Sequence, residues 1–335
     1  MRIGIAGVHY GHIGGMVQAA AKAPNGELVG LVESDDALYK RYTQDSPIPR
    51  YASLADMLQQ ARPDIVLEGV THTEKADLVE QCAAAGVHVL LDKPLCRTLE
   101  DWERIRAAVQ TRNTKLSMWF TSRSYPPFIA LRRSVEAGEM GKIVSLISTH
   151  PHKTSRQGAP AWYFDPAAYT GPFHDLACHG LDQIRWLTGA ECVGVHALET
   201  CQKFTDAPAL TDHVQASFQM SDGSLATLTA DWLTPQASPS FGDTRFILMG
   251  TKGSAHLRAY AEDDLLLVTD QGAQRPDFPP DLGNVFVENM LAAWSADKEH
   301  FISTNDVLAV AQACLYAQES ARRGGEFLAI PTLDQ

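Results

Sequence analysis

Arg2-Ile3-Gly4-Ile5-Ala6-Gly7-Val8-His9-Tyr10-Gly11-His12-Ile13-Gly14-Gly15 decides the fold. Residues 2–7 are a short apolar run ending in glycine. Behind them Ile13, Met16, Val17 and Ala20 recur at the i, i+3, i+4, i+7 spacing of an amphipathic helix. Leu28-Val29-Gly30-Leu31-Val32 is a second apolar run, closed by Glu33. Strand, glycine-rich turn, helix, strand and acid, all within about 30 residues, is the order of a dinucleotide-binding βαβ unit. The turn does not spell G-x-G-x-x-G, because positions 9 and 12 are histidine. Its place between strand and helix still suits its N–H groups to a pyrophosphate. Gly7, His9, Tyr10, Gly11 and His12 are therefore expected cofactor contacts. Glu33 would accept from a ribose diol and repel a 2′-phosphate, and Asp35 and Asp36 add to that repulsion. NAD is expected over NADP.

The alternation continues outward. Ser53 caps a short helix, 64–67 is a strand, 74–85 a helix stopped by Gly86, and 87–91 a strand. Thr98-x-x-Asp101 reads as a capping box for a helix striped with Trp102, Ile105 and Val109, and 115–119 is a further strand. Continuous apolar strands alternating with helices imply a parallel sheet covered on both faces. The first domain is thus α/β, a Rossmann dinucleotide-binding domain over 1–122. The pattern then changes. A helix over 128–137 leads to a long strand at 142–152. Further strands are expected at 212–220, 224–232, 244–249, 254–257 and 265–268, with Ser221-Asp222-Gly223 as a hairpin turn. The second domain, 123–335, is expected to be α+β on an open, largely antiparallel sheet. Helices near 285–294 and after Ser303-x-x-Asp306 would close it, and 269–284 reads as the mobile loop.

Composition excludes several classes. A net charge of -12 argues against a nucleic-acid partner. No run of about 18 apolar residues would span a membrane, and the chain starts on a strand without signal-peptide architecture. Six cysteines without C-x-x-C or zinc-type spacing imply reduced thiols, a cytoplasmic setting and no metal.

Two stretches carry chemistry. Asp92-Lys93-Pro94 follows a buried strand, at the end where α/β sheets bind ligands. Desolvation there would lower the lysine pKa and suit it to proton transfer. In 171–182, a helix would place Asp175 and His179 at i, i+4, with Asp182 three residues on. A satisfied polar network, a metal site and an acid/base apparatus are the three explanations. The strand before it ends His150-Pro151-His152-Lys153, with 150 and 152 on one face. With Arg156, Trp162 and Tyr163 these residues could line a polyhydroxylated substrate.

These residues also carry a resemblance. The stretch 85–95, ending Asp92-Lys93-Pro94-Leu95, resembles the strand ending in Glu-Lys-Pro of the glucose-fructose oxidoreductase / inositol dehydrogenase (Gfo/Idh/MocA) family. The stretch 171–182 resembles that family's glycine-rich turn and D-x-x-x-H-x-x-D. Gly138-x-x-Gly141-Lys142-Ile143, Gly250-x-Lys252-Gly253-Ser254 and Trp162 fit as well. The resemblance implies hydride transfer between NAD(P) and a secondary hydroxyl of a sugar, sugar acid or polyol. Lys93 matches the catalytic lysine and His179 the proton acceptor. Asp175 matches the ordering aspartate, and a cis bond before Pro94 is implied. Thr71, His72 and Asp92 join the expected cofactor contacts. Lys93, Arg123, His152, Lys153, Trp162, His174, Asp175 and His179 are the expected substrate contacts. The chain departs from the pattern at His9, in the loop Val70–Lys75, which has no proline where the family usually carries Thr-Pro and a later His, at Pro172 and at His174. Two alternatives stand beside the dehydrogenase: an NAD-recycling, glycoside-cleaving enzyme and a non-catalytic NAD(P)-binding sensor. The family also implies a homodimer or homotetramer.

Overall fold

The structure, a computed structural model, describes residues 1–9, 11–44, 47–155, 159, 161–165, 168–207 and 210–333. Tyr10 and Arg156, expected as ligand contacts, lie outside the described residues. The chain forms two compact units, Met1–Phe120 with Gly283–Leu308, and Thr121–Leu282 with the chain from Ala309.

The first unit is built on β1 (Arg2–Ala6), α1 (Ile13–Lys22), β2 (Glu27–Val32), α2 (Asp36–Thr43), β3 (Arg50–Tyr51), α3 (Leu54–Gln60), β4 (Ile65–Glu68), α4 (Lys75–Ala84), β5 (His88–Leu91), α5 (Leu99–Arg112) and β6 (Leu116–Met118). Its strands are parallel in the order β3-β2-β1-β4-β5-β6. That is the doubly wound Rossmann order, whose direction of winding reverses between β1 and β4. Register puts Ala6 beside both Val32 and Glu68, so β1, β2 and β4 end at one level. The next residues, Gly7, Glu33 and Gly69, therefore share the sheet's carboxyl edge. Ile3, Ile5, Leu31, Val66, Leu67, Val89 and Leu90 are fully or almost fully buried. Each contributes roughly 1.5–3 kcal/mol of apolar burial. Two expected caps form: Ser53 Oγ accepts from Asp56 N at 3.1 Å and Thr98 Oγ1 from Asp101 N at 3.0 Å.

Residues 283–308 pack on this unit, whereas a boundary at 122 had put them in the second domain. The strand periodicity that marks 1–122 cannot reveal where a later helix docks. The part further along the chain is α8 (Phe286–Ser295), which buries Phe286, Val287, Met290, Leu291 and Trp294. Phe286 lies edge-on to Trp119 at 4.7 Å, and Trp294 to His88 at 5.2 Å. Trp102 Nε1 donates to the Leu308 carbonyl at 2.9 Å.

The second unit holds α6 (Pro126–Glu136), β7 (Ile143–Pro151), α7 (Cys178–Thr188), β8 (Cys192–Thr200), β9 (His213–Met220), β10 (Leu225–Asp231), β11 (Thr244–Gly250), β12 (Gly253–Ala259), β13 (Asp264–Thr269), β14 (Gly272–Gln274), most of α9 (Thr304–Arg322) and β15 (Leu328–Ala329). Its sheet runs β14-β13-β12-β11-β7-β10-β9-β8-β15. Every adjacent pair is antiparallel except β7 with β10. α6 and α7 cover one face, over inward Leu146, Leu228, Phe246 and Leu248. The alternate residues Val144, Ile147, Leu225 and Met249 are exposed. β8 and β15 were not expected, and part of 269–284 is strand β14 paired with β13. Ser303 and Asp306 cap α9 reciprocally, each backbone N–H reaching the other's side chain at 3.0–3.1 Å.

Candidate active site

The turn after β1 is clamped on both sides. Gly7 N donates to Val32 O and His9 N to Gly69 O, both at 2.9 Å. Gly7 has φ +73°, and a Cβ there would lie 2.8 Å from Val70. A Cβ on Gly69 would lie 2.6 Å from the Gly7 carbonyl. Glycine is thus required at position 7 by conformation and close approach, and at position 69 by close approach. α1 then starts at His12 with no side-chain cap and no acid in its first turn. Its N–H groups and dipole are suited to an anion.

Glu33 is buried at the end of β2, with Oε2 accepting from Val8 N at 3.2 Å and Oε1 from Asp35 N at 2.9 Å. His9 Nε2 lies 3.5 Å from the same carboxylate. A cleft of about 370 Å³ opens beside it, lined by Gly7, His9, Glu33, Ser34, Leu54 and Asp77 among others. Its described lining includes Glu33, Glu74 and Asp77 but no lysine or arginine. The nearby Arg50 is committed to Glu33 O, Ser34 O and Asp36 Oδ1 at 2.5–2.7 Å. An acidic rim without a cation suits an adenosine ribose and opposes a 2′-phosphate. Sequence periodicity had no means of placing Leu54 or Asp77 here, since both come from neighbouring helices.

Asp92 and Lys93 follow β5. The Lys93–Pro94 bond is cis, as the resemblance implied. Both side chains are buried. Asp92 Oδ1 accepts from Lys93 N at 2.8 Å and meets His12 Nδ1 at 3.1 Å. Asp92 Oδ2 is buried with no hydrogen-bond partner among the described residues. An orphaned carboxylate oxygen next to the cofactor turn fits a hydroxyl-bearing ligand. The residues present therefore fit NAD. In the loop after β4, Thr71 Oγ1 donates to Glu74 Oε2 at 2.6 Å and His72 is buried.

In the second unit a single π turn, Phe173–Ala177, runs straight into α7. Such wide turns recur at functional sites. Asp175 is fully buried and accepts from Tyr169 Oη at 2.9 Å, and Tyr169 Oη accepts from Trp232 Nε1 at 3.0 Å. Burial and the Asp175 charge hold the Tyr169 phenol well above its usual range, so it stays a donor. Sequence reading missed Tyr169, since no motif marks it. His179 is half-buried on α7. Asp182 goes to a different partner, accepting from Arg123 Nε at 2.9 Å and Nη2 at 2.6 Å.

Arg123, expected at the substrate, is buried as a bidentate clamp on α7. His174, also expected there, is buried with Nε2 3.1 Å from Gln318 Oε1, which joins the π turn to α9. His150 sits in the core, edge-on to Phe246 at 5.7 Å. His152 is half-buried between the rings of Trp232 and Phe241. Lys153 Nζ donates to Ser238 O, and Trp162 packs edge-on to Tyr163 at 4.6 Å. Lys153, Tyr163, Trp232, Gln236 and Phe241 line a second cleft of about 300 Å³.

The profile of an oxidoreductase family with an NAD-binding Rossmann fold matches residues 1–120, and that of the GFO/IDH/MocA C-terminal domain matches 128–256. The chain belongs to the Gfo/Idh/MocA family. It is an oxidoreductase with an NAD-binding Rossmann domain. The rhizopine catabolism protein MocA of Rhizobium meliloti is 26% identical over 281 residues, 83% of this chain and 85% of that protein. An inositol 2-dehydrogenase of Saccharopolyspora erythraea is 28% identical over 282 residues, 80% and 79% of the two chains. A solved levoglucosan dehydrogenase in complex with NADH superposes with a TM-score of 0.87 at 19% identity, over 99% of this chain and 100% of that one. At that identity the likeness concerns the fold.

Proposed function

We propose that this chain is an NAD-dependent dehydrogenase acting on a secondary hydroxyl of a sugar, sugar acid or polyol. Relatives named as inositol dehydrogenases support the substrate class. The observation that carries the reading is one chain holding both a ribose-selecting Glu33 cleft and the set Lys93, Asp175 and His179. Cofactor binding falls to the Gly7–His12 turn, Glu33 and Asp92. When bound, NAD supplies the acceptor for the substrate's hydride. His179, half-buried, accepts the hydroxyl proton. Lys93 donates a hydrogen bond to the oxygen as it gains alkoxide character. Asp175, fixed by Tyr169, orients the imidazole or the substrate hydroxyl. His152, Lys153 and Trp162 contact the substrate's remaining hydroxyls. The six cysteines, without C-x-x-C or zinc-type spacing, support a cytoplasmic setting. The exposed apolar residues of the open sheet face support a homo-oligomer. Purified protein incubated with NAD and a panel of polyols, aldoses and aldonic acids tests the substrate class. NADH formation with at least one of them is expected. Tight NAD binding without turnover across the panel would favour a sensor instead.

A further inference from the structure

α4 carries a lysine on its apolar stripe. Lys75, Leu78, Val79 and Cys82 follow at i, i+3, i+4, i+7, and all four are buried. Lys75 has no exposed side-chain surface, and neither has Glu68 at the end of β4. Lysine and glutamate are almost never so buried unless paired, and these two meet at 2.7 Å. Each makes a second bond to the same residue. Lys75 Nζ donates to the Asp92 carbonyl at 2.7 Å, and Glu68 Oε2 accepts from Asp92 N at 3.2 Å. Glu68 Oε1 accepts from Val70 N at 2.8 Å, which ties the pair to the loop after β4. Both main-chain polar atoms of Asp92 are therefore held by one buried ion pair. Asp92 Oδ1 in turn accepts from the backbone N–H of Lys93.

We propose that the Glu68–Lys75 pair is a positioning device that fixes the main chain at Asp92 and thereby sets the place of Lys93. The inference rests on the reading of Lys93 as donor to the reacting oxygen. Apolar residues would cover α4 at lower desolvation cost, so stability alone does not explain a buried charge pair. Burial pushes the Glu68 carboxyl up to about 7, against the pull of the Lys75 ammonium. Without Lys75, Glu68 would take up a proton and become a weaker acceptor for Asp92 N. Both ends of the hold would then loosen together.

A double-mutant cycle tests this in the full-length protein. Measured at saturating NAD, Lys75→Met is expected to lower kcat by roughly 10- to 100-fold, the scale of an ångström-level misplacement. In a Lys93→Ala background the same substitution is expected to cost nothing further, because Lys75 acts through Lys93. Glu68→Leu/Lys75→Met leaves no unpaired charge. It is expected to fold stably yet keep the turnover loss, which a purely structural role would not produce. Wild-type turnover in Lys75→Met or in the folded double variant would overturn the proposal, as would losses that multiply with Lys93→Ala. Unimpaired turnover in Lys93→Ala alone would overturn the reading of Lys93, and this inference with it.

Discussion

At the scale of single residues, charge placed where water is absent does the selecting. Glu33 has both oxygens engaged by backbone N–H groups and faces a cleft with an acidic rim. Glu33→Ala should lower kcat/KM with NAD by about 10- to 100-fold, the worth of a charged hydrogen bond of about 1.5–3 kcal/mol. NADP should lose less or gain, which initial rates with the two cofactors would show. The place of Glu33 at the end of β2 was legible in the sequence because an acid closes the second apolar run. The partners of Arg123 and His174 were not. Which of several polar groups on a helix turns inward depends on partners far along the chain, here Asp182 and Gln318. Lys75 left a readable sign, a lysine on an apolar stripe, but its partners Glu68 and Asp92 come from other strands.

At the scale of elements, α7 and β7 are locked by one glycine and one histidine. A Cβ on Gly180 would lie 2.4 Å from His150 Nε2 and 2.3 Å from Leu228 Cδ1. Gly180→Ala should therefore destabilise by about 1–3 kcal/mol through overpacking, visible as a lowered Tm or urea midpoint. Burial, with His152 adding to it, depresses the His150 pKa from the usual 6.5 to about 3. Between those values the unfolded chain binds a proton that the folded chain refuses. Stability is thus complete above pH about 6.5 and falls as pH drops towards about 3. Urea melts at neutral pH and near pH 4 should show a smaller acid loss for His150→Leu than for wild type. The strands and caps of the Rossmann unit were legible because continuous apolar runs and Ser/Thr caps are local signals. Short β3, β14 and β15 form by pairing with neighbours and carry too few residues for a pattern. The π turn was read as ordinary helix, since side-chain spacing alone does not separate the two.

At the scale of the whole molecule, the doubly wound order and the nine-stranded sheet each have a function-bearing consequence. The first unit's carboxyl edge gathers Gly7, Glu33 and Gly69. The second unit's sheet keeps one face uncovered by α6 and α7, with Ile147 and Met249 45% and 47% exposed. If that face joins copies of the chain, Ile147→Glu should shift the protein to monomer in light scattering, with NAD binding intact. The family was legible from the order and spacing of its motifs along nearly the full chain. The docking of residues 283–308 on the first unit was not, because an apolar helix stripe carries no address. The central claim is that His179 accepts the substrate's hydroxyl proton and Lys93 donates a hydrogen bond to its oxygen during hydride transfer. The most direct measurement is single-turnover NADH formation, alongside NAD binding, in wild type, Lys93→Ala and His179→Ala. Both variants should bind NAD normally and form NADH roughly 100-fold or more slowly. Wild-type rates of NADH formation in either variant would contradict it.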